Sequence, residues 1–124
     1  MAAPLPVLIV DDARSVRTAL VRLLRRAGIT CIEAESVAAA AQVDATAIAC
    51  ALLDLDLEDG TGVDIAKALR ARRPDLPIAF FSAASGSEVV FRALRVGAVF
   101  EKPDGFREAL AWVVASARGN VGER

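Results

Sequence analysis

The chain has 124 residues, of which 55% are hydrophobic and 5% aromatic, and its formal net charge is −1. That length suits one compact domain, and the apolar fraction supplies a core and excludes general disorder. The near-neutral charge offers no basic surplus for nucleic acid and no acidic solvating tail.

There are two cysteines, Cys31 and Cys50, and no histidine. A His-containing zinc site is therefore impossible, and the cysteine spacing fits no zinc pattern. Both cysteines read as small core hydrophobes. The start, MAAPLPVLIV, is too short and uncharged for a signal peptide. No run approaches the ~20 apolar residues that span a bilayer, so a cytoplasmic protein without membrane contact is expected.

Val7 to Val10 is a short β-rich apolar run, a first strand. From Arg14 the period becomes helical: Val16, Leu20, Leu23, Leu24 and Ala27 share a face, with Arg17, Arg22, Arg25 and Arg26 around it, until Gly28. Ile29 to Glu33 reads as a second strand, and Ser36 caps an Ala-rich helix over 37–44. Ala47 to Leu53 is a third, wholly apolar strand. After an acidic loop, a helix runs from about Val63 to Arg72 and stops before Pro74.

Pro77 to Phe81 is the fourth strand. Ser85 and Glu88 have capping-box spacing and open a helix that ends at Gly97. Ala98 to Glu101 is the fifth strand. Asp104 caps a last helix, to about residue 118, with Phe106, Leu110, Val113 and Val114 inward. Trp112 falls roughly 120° off that inner line at 100° per residue. Its ring either lies against its own helix or stands out as an anchor for a partner.

Strands apolar on both faces belong to a parallel sheet covered by helices on each side. The expected fold is therefore α/β, a doubly wound (βα)5 flavodoxin-like domain with strand order 2-1-3-4-5. It fills residues 1–124, core about 5–118, with no output domain. In that order the first strand separates Cys31 from Cys50. Two strand spacings, roughly 9–10 Å, exceed the ~7 Å that a disulfide bridges between Cα atoms.

In an open α/β sheet, ligands bind beyond the carboxyl ends of the strands. Asp11 and Asp12 follow the first strand, Asp54 the third, Ser82 the fourth, and Lys102-Pro103 the fifth. Each alone is an ordinary loop or helix-start residue; their convergence from four strands is not. Clustered carboxylates repel and raise one another's pKa, and a hard divalent cation such as Mg²⁺ relieves this. A phosphoryl group there would meet Mg²⁺, the Lys102 ammonium and the Ser82 hydroxyl, with an Asp carboxylate as nucleophile.

The blocks VLIVDD, LLDLDLEDGTG, FFSA and EKP resemble the signature of the CheY-like receiver domain of bacterial two-component response regulators. They run in that family's order from Val7 to Pro103. The resemblance implies that Asp54 is the phosphoacceptor and that Asp12, with Asp11 beside it, ligates Mg²⁺. Asp56 would give the metal its backbone carbonyl. Ser82 would hold the Thr/Ser switch position, Lys102 would pair with the phosphoryl group, and Pro103 would follow through a cis peptide bond. Gly62 matches the glycine that opens the third helix.

The implied donor is a sensor histidine kinase or a histidine phosphotransfer protein, since a chain without histidine supplies no phosphohistidine. The implied output is conformational and passes to an unnamed protein partner, with a homodimer through the face of helix 4, strand 5 and helix 5 as one form. No direct nucleic-acid contact is implied, and no enzyme activity beyond self-phosphotransfer and autodephosphorylation.

Four positions depart from the family pattern. Glu58 replaces the usual proline, which predicts a looser loop. Asp56 is acidic where a neutral residue is frequent. The segment from Gly97 to Lys102 is about two residues short. The switch aromatic, three residues before the lysine, falls on Val99 with Phe100 adjacent, so either Phe100 serves or the aromatic is missing. Two other classes compete. Asp54-Leu55-Asp56 has the spacing of a haloacid-dehalogenase-type phosphatase, but DGT follows late, at Asp59 to Thr61, and Asp11-Asp12 precede the nucleophile. A receiver fold used as an unphosphorylated interaction module is the other.

Overall fold

In the computed structural model, which describes residues 4–83 and 88–122, Val7–Val10 forms strand β1 with all four side chains buried. Alternate residues face opposite sides of a sheet, so Leu8 and Val10 join one core cluster and Val7 and Ile9 another. Helix α1 (Arg14–Arg26) lays Leu20, Val21 and Leu24 on the second cluster. It ends in a Schellman motif: Ile29 N donates to Leu24 O at 2.9 Å and Gly28 N to Arg25 O at 2.9 Å, with Gly28 at φ 83°. That cap uses the Ile29 amide, so β2 is Cys31–Ala34 and not Ile29 to Glu33.

Helix α2 (Val37–Ala41) is shorter than the expected 37–44. Asp44 ends it by capping a separate 3₁₀ turn, Ala45–Ala47, accepting from both Thr46 N and Thr46 Oγ1. The regular part of β3 is therefore Ala51–Leu53, although Ala49 N already donates to Pro6 O and Cys50 O accepts from Leu8 N. A small antiparallel hairpin follows, β4 (Asp56–Leu57) against β5 (Gly60–Thr61). Helix α3 (Gly62–Arg72) starts in a full capping box between Thr61 and Asp64.

Strand β6 is Ile78–Ser82, α4 is Glu88–Leu94, β7 is Ala98–Glu101 and α5 is Phe106–Gly122. Helix α5 begins two residues after Asp104 and runs beyond the expected residue 118. Ser85, the expected cap of α4, lies outside the described residues.

The main sheet has the order β2-β1-β3-β6-β7, every pairing parallel. Without the hairpin strands this is the expected 2-1-3-4-5. One face packs on α2, α3 and α4 through Ala40, Ile65, Leu69 and Ala93; the other packs on α1 and α5 through Leu20, Leu24, Ala109 and Val113. Leu8, Leu52, Leu53 and Phe80 are almost wholly buried. Each such side chain contributes about 1.5–3 kcal/mol as area removed from water.

Both cysteines are free, Cys50 buried and Cys31 half-buried. Burial pushes their thiols up to about 12 and about 11 respectively, so both are neutral packing groups. Trp112 is half-buried and packs against the α1–α5 core, which fits the first of its two alternatives, a ring partly covered by its neighbours. Among the described residues the exposed large apolar ones are Leu5, Phe91 and Leu94, the last two one turn apart on α4. Among the described residues no helix is long and apolar enough to cross a membrane.

Candidate functional site at the carboxyl edge of the sheet

The parallel register brings the strand ends together. Asp11 follows β1, Asp54 follows β3, Ser82 ends β6 and Lys102 follows β7. Asp54 N donates to Val10 O at 2.8 Å and Lys102 N to Ser82 O at 2.8 Å, so main-chain bonds lock the neighbouring strand ends. Asp11, Asp54 and Ser82 are the buried polar residues of the described chain, at 1%, 5% and 0% exposure. Burying a carboxylate is costly unless it is paired, and these two share one cation. Lys102 Nζ lies 2.8 Å from Asp11 Oδ2 and 3.4 Å from Asp54 Oδ2.

The remaining oxygens are spoken for in part. Asp11 Oδ1 accepts from Ala13 N at 2.9 Å, and Asp54 Oδ1 accepts from Asp56 N at 3.3 Å. Lys102 also stands 5.5 Å from the centroid of the Phe81 ring, which leans on Phe106. The Lys102–Pro103 peptide is cis, as the resemblance implied.

Burial, and after it the negative charge of Asp11, push Asp54 up to about 6; Lys102 and the Asp56 amide pull the other way. Burial works to lower the Lys102 pKa, yet the hydrogen bond and charge of Asp11, followed by those of Asp54, leave it raised. Asp54 is thus a carboxylate whose negative charge is held at a cost, beside a firmly charged ammonium.

One carboxylate oxygen each from Asp11, Asp12 and Asp54 falls in a group within 4.8 Å. Asp12 is exposed, so the group opens to solvent on its side. Three hard oxygen donors around an open position, one of them with a raised pKa, suit Mg²⁺. The Asp56 side chain is exposed and outside this group; its backbone amide is the part that touches Asp54.

Two residues that the sequence reading left aside prove to matter. Arg17 Nη1 donates to Asp11 O at 2.7 Å, while its Nε donates to Glu33 Oε1 at 3.1 Å. It pins the Asp11–Asp12 peptide to β2. Its sequence signal was its place on the first turns of α1, which reads equally well as a solvated face. Asp59, named so far only as the start of the DGT run, accepts from Val37 N at 2.8 Å and Ala38 N at 3.0 Å. The loop with Glu58 in place of proline is therefore a tethered hairpin and not a loose segment. Thr61 of the DGT run caps α3 through Oγ1, so the phosphatase-like pattern does not assemble around Asp54.

The aromatic question has a geometric answer. Val99 pairs with Phe80, and both face the α2–α3–α4 side; Phe100 pairs with Phe81, and both face α1 and α5. Val99, not Phe100, is the residue that turns toward α4.

A doubly wound parallel sheet that gathers acids, a hydroxyl and a lysine at its carboxyl edge defines a class of α/β site proteins in which the ligand meets the strand ends. The chain belongs to the response regulator receiver domain family, whose model matches residues 7–110. It is 38% identical over 92 residues to the photosynthetic apparatus regulatory protein RegA of Rhodovulum sulfidophilum, covering 73% of this chain and 50% of that protein. It is 33% identical over 104 residues to the response regulator protein TodT of Pseudomonas putida, covering 81% and 44%. The chain thus spans about half the length of these curated relatives. Among solved structures, the CheY-like receiver domain from Methanospirillum hungatei JF-1 superposes with a TM-score of 0.84 at 21% identity, over 98% of this chain and all of that one, a likeness of fold alone. The receiver domain of the putative response regulator NarL from Mycobacterium tuberculosis gives 0.78 at 28% identity, over 95% and 99%.

Proposed function

We propose that the chain accepts a phosphoryl group on Asp54 and signals by a change of conformation. The carrying observation is the Asp54 carboxylate, buried yet ionisable, grouped with Asp11 and Asp12 and sharing Lys102 with Asp11. In the transfer, an Asp54 oxygen bonds to phosphorus as the bond from phosphorus to the donor breaks. For a phosphohistidine donor that bond is P–N, and the freed imidazole keeps the electron pair and takes up a proton. Lys102 neutralises phosphoryl oxygens brought to Asp54, and the Ser82 hydroxyl is the hydrogen-bond donor at the end of β6. Asp11, Asp12 and Asp54, with the Asp56 carbonyl, would hold Mg²⁺, which supplies charge neutralisation on the phosphoryl oxygens when bound.

Receiver domains as a family are phosphoacceptors, so on this reading the chain turns over no substrate beyond its own aspartyl phosphate. The donor is a sensor histidine kinase or a histidine phosphotransfer protein, met in the cytoplasm. Output goes through protein contacts, with pairing of two copies across α4, β7 and α5 as one form and without direct nucleic-acid contact by this domain.

The test is intact mass after incubation with acetyl phosphate and Mg²⁺. One added phosphoryl group is expected on the wild type and none on Asp54→Asn. Equal labelling of the two would place the chemistry elsewhere, and sustained phosphomonoester turnover would favour a phosphatase.

A further inference from the structure

The hairpin that follows Asp54 is fastened at both ends. At its start, Asp56 N donates to Asp54 Oδ1 at 3.3 Å. At its turn, the two carboxylate oxygens of Asp59 accept from Val37 N at 2.8 Å and Ala38 N at 3.0 Å, the first two amides of α2. The third, Ala39 N, goes to Ser36 Oγ at 3.0 Å. Packing reinforces the link. Gly60 has φ 154°, and a Cβ there would stand 3.0 Å from Val37 Cγ2, so hairpin and helix touch with no room for a side chain.

Helix α2 has only five residues, far below the ~12–15 at which an isolated helix becomes even marginal in water. Its first turn therefore depends on outside acceptors, and a carboxylate at a helix N-terminus is a favourable one. Two of its three leading amides are supplied from the segment that also touches the phosphoacceptor.

We propose that Asp59 is a positioning residue that couples the occupancy of the Asp54 site to the first turn of α2. This rests on the reading of Asp11, Asp12, Asp54 and the Asp56 carbonyl as a Mg²⁺ site. A ligand on the Asp56 carbonyl or on Asp54 fixes the hairpin, and the fixed hairpin holds Asp59 on Val37 and Ala38. By reciprocity, loss of the Asp59 contacts loosens the hairpin and weakens the metal site.

The experiment measures amide hydrogen exchange in a peptide covering residues 36–42, with and without saturating Mg²⁺, beside calorimetric Mg²⁺ titration. In the wild type, Mg²⁺ should slow exchange there by about fivefold, the effect of securing one helix cap. Asp59→Ala should raise the metal-free exchange by a similar factor, abolish its response to saturating Mg²⁺ and weaken Mg²⁺ binding severalfold. Asp59→Asn, which keeps one acceptor oxygen, should fall between. Ser36→Ala frays the same helix without touching the hairpin, so it should raise exchange but leave Mg²⁺ affinity at the wild-type value. A fall in affinity equal to that of Asp59→Ala would mean mere fraying and overturn the proposal. An equal Mg²⁺ response in wild type and Asp59→Ala, or none in a wild type that binds Mg²⁺, overturns it alone. No Mg²⁺ binding by the wild type overturns the site reading and the proposal with it.

Discussion

Asp54→Asn should make the metal-free protein more stable, and increasingly so as pH rises. Burial and the charge of Asp11 move the Asp54 pKa from 3.8 to about 6 in the folded chain. The folded state therefore holds this proton more tightly than the unfolded chain does. That favourable proton binding is fully present below about pH 4 and is lost as pH rises through about 6. Above that, the charged carboxylate costs the fold about 3 kcal/mol relative to its neutral form. Asparagine is neutral throughout, and its amide oxygen retains the geometry that accepts from Asp56 N. Lys102 keeps its closer partner, Asp11, at 2.8 Å. Urea denaturation in a chelator, followed by far-UV circular dichroism, should show the two proteins within about 1 kcal/mol at pH 4. At pH 8 the variant should lead by about 2–3 kcal/mol, seen as a higher urea midpoint at unchanged slope. A difference that does not grow between pH 4 and pH 8, or a wild type more stable than the variant at pH 8, would refute the electrostatic reading of the site.

Other substitutions divide the site into its parts. Asp12→Ala should weaken Mg²⁺ binding by about tenfold or more in a calorimetric titration, without destabilising the metal-free protein, since it removes an exposed member of a repelling group. Lys102→Met leaves the Asp11 and Asp54 carboxylates without their cation. It should cost about 3 kcal/mol at pH 8 and raise the Asp54 titration further; in the Asp54→Asn background only the part owed to Asp54 should vanish, read as a double-mutant cycle, because buried Asp11 still loses its partner at 2.8 Å. Arg17→Ala should cost stability by about 1–2 kcal/mol through the Asp11 carbonyl and Glu33, and Arg17→Lys should recover only part, since a lysine cannot make both bonds in one plane. Gly62→Ala improves helix propensity at the start of α3 yet should destabilise by more than 1 kcal/mol. The added Cβ would run into the Asp54 carbonyl and the Phe80 ring, and thermal unfolding will show the sign.

The parts of this chain legible in its sequence are those whose signals are periodic or repeated. β1 is four apolar residues with four buried side chains, and alternation of apolar runs with helices points to a parallel doubly wound sheet, for which the preferred order 2-1-3-4-5 is the one observed. The site was legible for the same reason, because each of Asp11, Asp54, Ser82 and Lys102 sits at the same end of a strand. What escaped was set by local hydrogen bonds, from side chain or main chain, that leave no period in the sequence. Asp44 diverts the chain into a 3₁₀ turn and shortens both α2 and the expected third strand. The helix cap takes the Ile29 amide and delays β2. The hairpin β4–β5 has two residues on each side, too few for any period to register. Arg17 and Asp59 were invisible because a charged residue reads alike whether it is solvated or bonded to a carbonyl or amide far away in sequence. The two alternatives for Trp112 stayed open because the inner face of α5 was drawn as one line, whereas α5 packs against both β6 and α1 and offers a broader inner surface that partly covers the ring.

Val99 bears on how a change at Asp54 leaves the site. Along β7 the side chains alternate, and the register with β6 fixes which face each one takes: Val99 goes with Phe80 toward α4, and Phe100 with Phe81 toward α5. A one-residue slip that turned Phe100 toward α4 would carry the Glu101 side chain to the opposite face and break the Lys102 N to Ser82 O bond that brings Lys102 to Asp11. Phenylalanine cannot take the α4 face without dismantling the site it would report on. A valine there has a short, β-branched side chain with a restricted χ1 and no ring to swing. Any signal that passes from Ser82 toward α4 must then travel as a movement of backbone or of the helix itself. That helix is secured to the core by Ala93 and leaves Phe91 and Leu94 exposed at 63% and 54%, so a rigid-body shift of α4 would directly rearrange the apolar surface this face presents.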